Sequence, residues 1–101
     1  MAAETLSENV YGDFIISVAG VNPANHTAVA SVNTAVSHSE VQVGDRVSVE
    51  TPPAALEAGI VPIGCHTVVA GSFQLRTTNP TAGAIDPAAA TWEFRVCRTS
   101  P

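Results

Sequence analysis

The longest strand pattern in the chain is HTVVAGSFQLRTT, residues 66–78. Successive side chains of a β-strand point to opposite faces, and β-branched and aromatic residues favour strands. One face of this stretch would hold Val69, Gly71, Phe73 and Leu75, and the other Val68, Ala70, Ser72, Gln74 and Arg76. The pattern predicts one long strand with Phe73 and Leu75 in the core.

A second alternating stretch, Thr91–Arg98, predicts a closing strand. Its two faces would hold Trp92, Phe94 and Val96 on one side, and Glu93, Arg95 and Cys97 on the other. The segment NPTAG at 79–83 is typical of a turn. Ile85, just before Asp86-Pro87, is predicted to close one end of the core.

The first half of the chain shows weaker strand patterns. Phe14–Val18 alternates, so that Phe14, Ile16 and Val18 share a face. His26–Val36 has the β-branched and small residues of a long strand, but neither face is strongly apolar. We therefore expect it at a sheet edge or at a subunit contact.

In the middle of the chain, polar and apolar side chains alternate over a few residues, and then prolines end the strand pattern. Arg46–Glu50 places Val47 and Val49 towards the core, and Thr51-Pro52-Pro53 ends the strand, because proline cannot donate a ladder hydrogen bond. One helical turn is expected at 54–58. A short strand is expected at 60–63, broken by Pro62 and followed by a turn at Gly64.

Short strands, regular turns and no helical period predict an all-β fold, either a small antiparallel β-sandwich of jelly-roll type or a partly closed barrel. The 101 residues leave room for one domain, which we place at 11–101 behind a flexible N-terminal arm at 1–10. The predicted core consists of Phe14, Ile16, Val47, Val49, Phe73, Leu75, Ile85, Trp92, Phe94 and Val96.

Composition narrows the classes of function. Charged residues make up 13% of the chain and hydrophobic residues 46%. An average domain has about 25% charged residues. The chain has four arginines, no lysine and a net charge of −5, with no basic cluster to bind nucleic acid or an anionic membrane.

Residues 1–10 contain no basic residue and no apolar core, so we expect no secretory signal. Low surface charge predicts a homo-oligomer or a docked subunit.

No residue pattern predicts catalysis, a cofactor or a metal. Among His26, His38 and His66, only His38 has a nearby acid, Glu40. Neighbours in Ser37-His38-Ser39 would point to opposite faces of a strand, which does not suit a catalytic pair. We therefore predict that the protein is not an enzyme.

The remaining candidates also have structural interpretations. Asp45 and Asp86 stand beside turn residues, where aspartate commonly bonds to nearby backbone. Asn25-His26-Thr27 matches the short acceptor pattern for N-glycosylation, which is weak without a signal sequence. Cys65 and Cys97 fit two buried thiols, or one bridge between strands.

Four segments of the second half resemble a small β domain that is common among tailed-phage virion proteins, a head-decoration or fibre module. In that family a strand beginning Gly-Asp leads to a Pro-Pro-x-x-Leu-x-x-Gly segment. A strand ending Arg-x-x-Asn, an Asp-Pro turn and a closing Trp strand follow. The segments here are VGDRVSV at 43–49, TPPAALEAGI at 51–60, FQLRTTNPTAGAIDP at 73–87 and TWEFRV at 91–96.

The resemblance implies a structural virion protein on the capsid exterior, made in the host cytoplasm. It would be a decoration or cement protein that binds the major capsid protein as a homotrimer and stabilises the assembled head. The arm, with Glu4, Leu6, Val10 and Tyr11, would contact the capsid. The alternative is a trimeric tail-fibre or receptor-binding module with a carbohydrate ligand, which predicts a cleft with exposed aromatic residues.

Overall fold

The structure, a computed structural model, describes residues 12–98. All regular elements in this range are strands. No helix in the range is long and apolar enough to cross a membrane. The strands are β1 (Gly12–Val21), β2 (Ala30–Ser37), β3 (Arg46–Thr51), β4 (Val61–Val69), β5 (Ser72–Asn79) and β6 (Ala90–Arg98).

The strands form two antiparallel sheets of three strands, with orders β1-β6-β3 and β2-β5-β4. Between the sheets, β1 lies near β2 and β3 lies near β4. The all-β antiparallel prediction is confirmed. Of the two arrangements expected, the structure has the sandwich and not the closed barrel, because each sheet keeps two edge strands.

The core lies between the two central strands, β5 and β6, which bury every second side chain. Phe73 from β5 meets Phe94 from β6 edge to face, with ring centroids 4.9 Å apart. Trp92 stacks beside Phe94 at 6.2 Å. Such aromatic pairs contribute about 1 kcal/mol each beyond the burial of their area. The contact between Phe73 and Phe94 joins the two sheets, whereas Trp92 and Phe94 lie on the same strand.

Most of the residues expected in the core are buried or packed against it. The buried cluster is Ile16, Val21, Val36, Val41, Val47, Phe73, Leu75, Trp92, Phe94 and Val96, with Phe14 and Val49 half-buried against it. Ile85 is not in this cluster: it lies in the loop between β5 and β6, where its backbone pairs with His26 in an isolated bridge. Its half-buried side chain instead approaches Gly59, where an added Cβ would lie 3.0 Å from Ile85 Cδ1.

The prediction of one strand over 66–78 is wrong, because a hairpin divides it. Val69 pairs with Ser72, and Ala70-Gly71 forms the turn between β4 and β5. Gly71 has φ of 79°. This is a left-handed conformation that glycine adopts without a steric penalty. The turn reverses the chain and separates exposed Val69 from buried Phe73.

Three other expected boundaries also differ. The second strand begins at Ala30 and not at His26, which forms only the isolated bridge. Residues 54–58 form turns instead of a helical turn, with Leu56 N donating to Pro53 O at 3.0 Å. Gly64 does not turn the chain: β4 continues through Pro62 and Gly64 with a register shift between them, as edge strands allow.

Candidate functional site

The described residues form no pocket and no group of three or more His, Cys, Asp or Glu side chains that could hold a metal ion. His38 Nδ1 accepts a hydrogen bond from the backbone N–H of Glu40 at 3.2 Å. The hydrogen bond between these two residues is therefore made by the backbone N–H of Glu40 and the ring of His38. Ser37 and Ser39 on either side of His38 are exposed.

A buried ion pair joins the loop before β3 to the end of β6. Arg98 donates from Nε to Asp45 Oδ1 at 2.9 Å and from Nη2 to Asp45 Oδ2 at 2.8 Å. Its Nη2 also donates to the Glu40 carbonyl at 2.6 Å, and its guanidinium lies 5.1 Å from the centroid of the Phe14 ring. The two-pronged geometry suits a buried arginine and carboxylate.

The electrostatics of this pair favour both charges. Burial alone would raise the pKa of Asp45, but hydrogen bonds from Arg98 and from the Gln42 N–H, with the arginine charge, outweigh it and lower the pKa. The hydrogen bond to Asp45 raises the pKa of Arg98. The pair ties two segments of the fold together, and Asp45 has the structural role expected from its turn.

A second buried polar network joins the end of β5 to the loop before β2 and to the loop after β5. His26 Nε2 is 2.6 Å from Thr77 Oγ1, and the backbone of His26 exchanges hydrogen bonds of 2.8 and 2.9 Å with Ile85. Asn79 Nδ2 donates to the Gly83 carbonyl at 2.7 Å, and Asn79 Oδ1 accepts from Thr81 Oγ1 at 2.6 Å. The network holds the loops in place.

The outer face of the β2-β5-β4 sheet carries a polar cluster. Asn33 Oδ1 accepts hydrogen bonds from Arg76 Nη1 at 3.0 Å and from His66 Nε2 at 3.1 Å. His66 Nδ1 lies 2.8 Å from Thr67 Oγ1, and Thr67 has φ of 53°. A positive φ is unusual for a β-branched residue. The cluster links the three strands across an exposed surface.

The outer face of the other sheet carries an exposed ion pair network. Arg95 Nε donates to Glu50 Oε1 at 2.9 Å, and Arg95 Nη1 donates to Asp13 Oδ2 at 3.1 Å. These bonds connect β6 to both of its neighbours. Because the groups are exposed, they contribute little to stability.

The two cysteines are half-buried free thiols. Burial raises the pKa of Cys65 to about 12, and a hydrogen bond with Asp13 is the largest cause that raises the pKa of Cys97. Since the thiolate is the reactive form, neither environment activates the sulfur.

Several apolar side chains are exposed on edge strand β4. Val61, Ile63 and Val69 are 45%, 56% and 46% exposed. Single exposed apolar residues are ordinary, and these three are spread over the length of the strand, with exposed His66 and Thr67 between Ile63 and Val69.

The other candidates lie apart from these features. Asn25 and Thr27 are exposed on either side of buried His26, and Asp86 is exposed whereas Asp45 is buried. The expected capsid-contact residues lie outside the described residues. They are Glu4, Leu6, Val10 and Tyr11.

The burial of Arg98 was not among the predictions made from the sequence. Arg98 follows Trp92, Phe94 and Val96 at even spacing, and it is 1% exposed. Strict alternation would have placed it on the core face and prompted a search for a buried acid.

In comparisons with family models, curated proteins and solved structures, nothing matches this chain.

Proposed function

We propose that this protein is a structural virion protein of a tailed bacteriophage, a capsid decoration protein that binds the assembled head as a homotrimer and stabilises it. The resemblance over residues 43–96 supports this proposal. Its four segments correspond to β3, to the turns before β4, to β5 with the following loop, and to β6. The Gly-Asp start contributes Asp45 of the buried ion pair.

The observation that carries the proposal is the presence of three exposed apolar side chains on β4. Val61, Ile63 and Val69 are about half exposed in a chain with few charges. Burying apolar surface contributes roughly 25 cal/mol per Å². A small contact of this kind, repeated in every copy on a shell, would add up to a large stabilisation through multivalency. β4 is therefore our candidate for the capsid contact.

The experiment uses heads of the phage that encodes the chain, prepared without this protein. Purified protein is added, and bound protein and the temperature at which the heads open are measured. We expect saturable binding and a higher opening temperature. Ile63→Ser should weaken binding, because it removes an apolar contact from β4.

Val43→Ser is the matched control, since Val43 is 75% exposed but lies in a loop outside β4. It should bind like the unchanged protein. Failure to bind or stabilise the heads would contradict the decoration function. Equal binding by both variants would exclude β4 as the contact.

A glycan-array signal without head binding would instead support the fibre or receptor-binding alternative. That alternative predicts exposed aromatic residues. In the described range, Phe73, Trp92 and Phe94 are buried and Phe14 is half-buried. The structure thus offers no observation in favour of it there.

A further inference from the structure

The four edge strands of the sandwich differ in how they discourage pairing with another chain. Proteins protect edges with charges, proline, bulges or short strands. β1 changes register after Val18, and β3 is short and carries Arg46 and Glu50. β4 contains Pro62 and changes register twice. Three of the four edges are therefore protected.

β2 has none of these features. Its sequence, ASVNTAVS, contains no charged residue, proline or glycine. It pairs with β5 over its whole length without a register shift, from Ala30↔Asn79 to Ser37↔Ser72. No other strand in the described range pairs with its second side. It is a regular, uncharged and open edge.

The register shows which backbone groups face this open side. His38 N donates to Gly71 O at 3.0 Å, which continues the β2–β5 register by one residue. Because hydrogen-bonded pairs alternate in an antiparallel ladder, the even-numbered residues of β2 bond to β5. The N–H and C=O groups that point away from β5 belong to Ser31, Asn33, Ala35 and Ser37.

We propose that β2 pairs antiparallel with β2 of a second copy of this chain, across a two-fold axis at Thr34. Such a contact would join two three-stranded sheets into one continuous sheet. Core-facing residues have to pair with core-facing residues, so the axis passes through a residue and not between two. With the axis at Thr34, Val32 faces Val36 of the second copy, and Ser31 faces Ser37 of the second copy.

This register uses all of the outward backbone groups. Asn33 pairs with Ala35 of the second copy, and Ser31 with Ser37, each pair occurring twice and exchanging two hydrogen bonds. An axis at Asn33 would leave Ser37 without a partner within β2. Two copies of an uncharged strand also bring no like charges together.

A buried hydroxyl supports the position of the axis. Thr34 Oγ1 is buried and has no hydrogen-bond partner among the described residues. A buried unpaired hydroxyl is costly, and threonine pairs across strands hydrogen-bond to each other. Because Thr34 bonds to β5, the proposed Thr34 pair is of the non-hydrogen-bonded type, in which side chains are closest. Solvent does not reach this hydroxyl in the single chain, so the two hydroxyls meet only when Thr34 rotates about χ1 toward the open edge.

This contact goes beyond the proposed function and does not depend on it. A two-fold contact closes with two copies, so it can join two single chains or two trimers. The β2 contact therefore predicts an assembly with an even number of chains. The number of chains should fall by half when the β2 edge is blocked.

The test is the solution mass by light scattering over a dilution series, for the unchanged protein and for Ala35→Pro. The Ala35 N–H points to the open side, so proline removes no bond to β5 but blocks the second copy. Ala35→Lys serves as a second blocking variant if the proline variant does not fold. Ala54→Lys is the matched control, because it adds the same charge in an exposed turn.

We expect the blocking variant to have half the mass of the unchanged protein and the Ala54→Lys control to have the full mass. Thr34→Val should weaken association about fivefold, because it removes the hydroxyl pair. An odd number of chains in the unchanged protein, or equal masses for the unchanged and blocked proteins, would overturn the proposal.

The blocked protein also separates this inference from the proposed trimer. A blocked mass of three chains, each of 10.3 kDa, would support both. If the unchanged protein has the mass of two chains and the blocked variant has the mass of one chain, the result would support the β2 contact and contradict the trimer.

Discussion

Asp45 and Arg98 place two opposite charges inside a small sandwich, where their side chains are 2% and 1% exposed. Removing charges from water is costly, and the cost is offset only when partners replace the lost water. Here each charge has several partners, including the Gln42 N–H and the Glu40 carbonyl. The pair therefore has to be kept or removed as a unit.

Asp45→Asn should destabilise the fold by about 3 kcal/mol, because it leaves the Arg98 charge buried without a carboxylate. Urea denaturation measures the free energy of unfolding. Glu50→Gln is the matched control: it makes the same chemical change in the exposed pair with Arg95 and should have little effect. Equal losses in the two variants would contradict a special role for the buried pair.

The same pair sets a dependence on pH. The fold lowers the pKa of Asp45 below its ordinary value of 3.8, so the folded state binds this proton less readily than the unfolded state. The ionised carboxylate of Asp45 therefore stabilises the fold fully above pH 3.8. This stabilisation is lost as the pH falls below 3.8 and passes the lowered pKa of the folded state. The difference in stability between the unchanged protein and Asp45→Asn should therefore shrink in acid. A difference that stays constant into strong acid would exclude this linkage.

At the scale of residues, alternation identified most of the core. Phe73, Leu75, Trp92 and Phe94 follow directly from a period of two. Val36, Val41 and Ile60 are also buried, although no local pattern placed them in the core. The partner of Arg98 is hidden from a local pattern as well, because Asp45 is 53 residues away.

At the scale of elements, the hairpin of β4 and β5 contains a short turn that the alternation of side chains did not reveal. The residues on both sides of Ala70-Gly71 favour strands, so the stretch looks continuous. Only Gly71 marks the reversal. Its φ of 79° lies in the left-handed region. That region is open to glycine and strained for other residues.

Gly71→Ala should destabilise the protein by about 1 kcal/mol through this backbone strain. An added Cβ would meet nothing within 4 Å, so no clash contributes. Gly83→Ala is the control, since Gly83 also has open space but no positive φ, and we expect a neutral or slightly stabilising effect. Thermal unfolding of both variants measures the difference. A Gly71→Ala protein as stable as the control would contradict the strain.

At the scale of the whole molecule, the class of fold was predictable and the connectivity was not. Strand patterns, turns and the absence of a helical period lead to a small antiparallel all-β fold, and the structure decides between the sandwich and the partly closed barrel. The order β1-β6-β3 depends on pairings between distant segments, which no local pattern encodes. The two central strands are nevertheless the two with the clearest alternation, because a central strand packs on the core along its whole length.

The layout predicts where the molecule is most resistant to opening. β5 and β6 have hydrogen-bonded neighbours on both sides, and they carry the aromatic contacts. Their amide protons should exchange with solvent most slowly. Hydrogen exchange followed by NMR measures this for each residue. Slower exchange throughout β1 or β4 than in β5 and β6 would contradict a core centred on these strands.

The position of β6 also has a consequence for synthesis on the ribosome. β1 and β3 each pair with β6, which is the last strand in sequence. The other sheet consists of β2, β4 and β5 and does not contain β6. The sheet of β2, β5 and β4 can therefore assemble on the emerging chain, but β1 and β3 have no ladder partner until β6 has been translated. We expect nascent chains arrested before Ala90 to leave β1 open to proteases, and release of the complete β6 to close it.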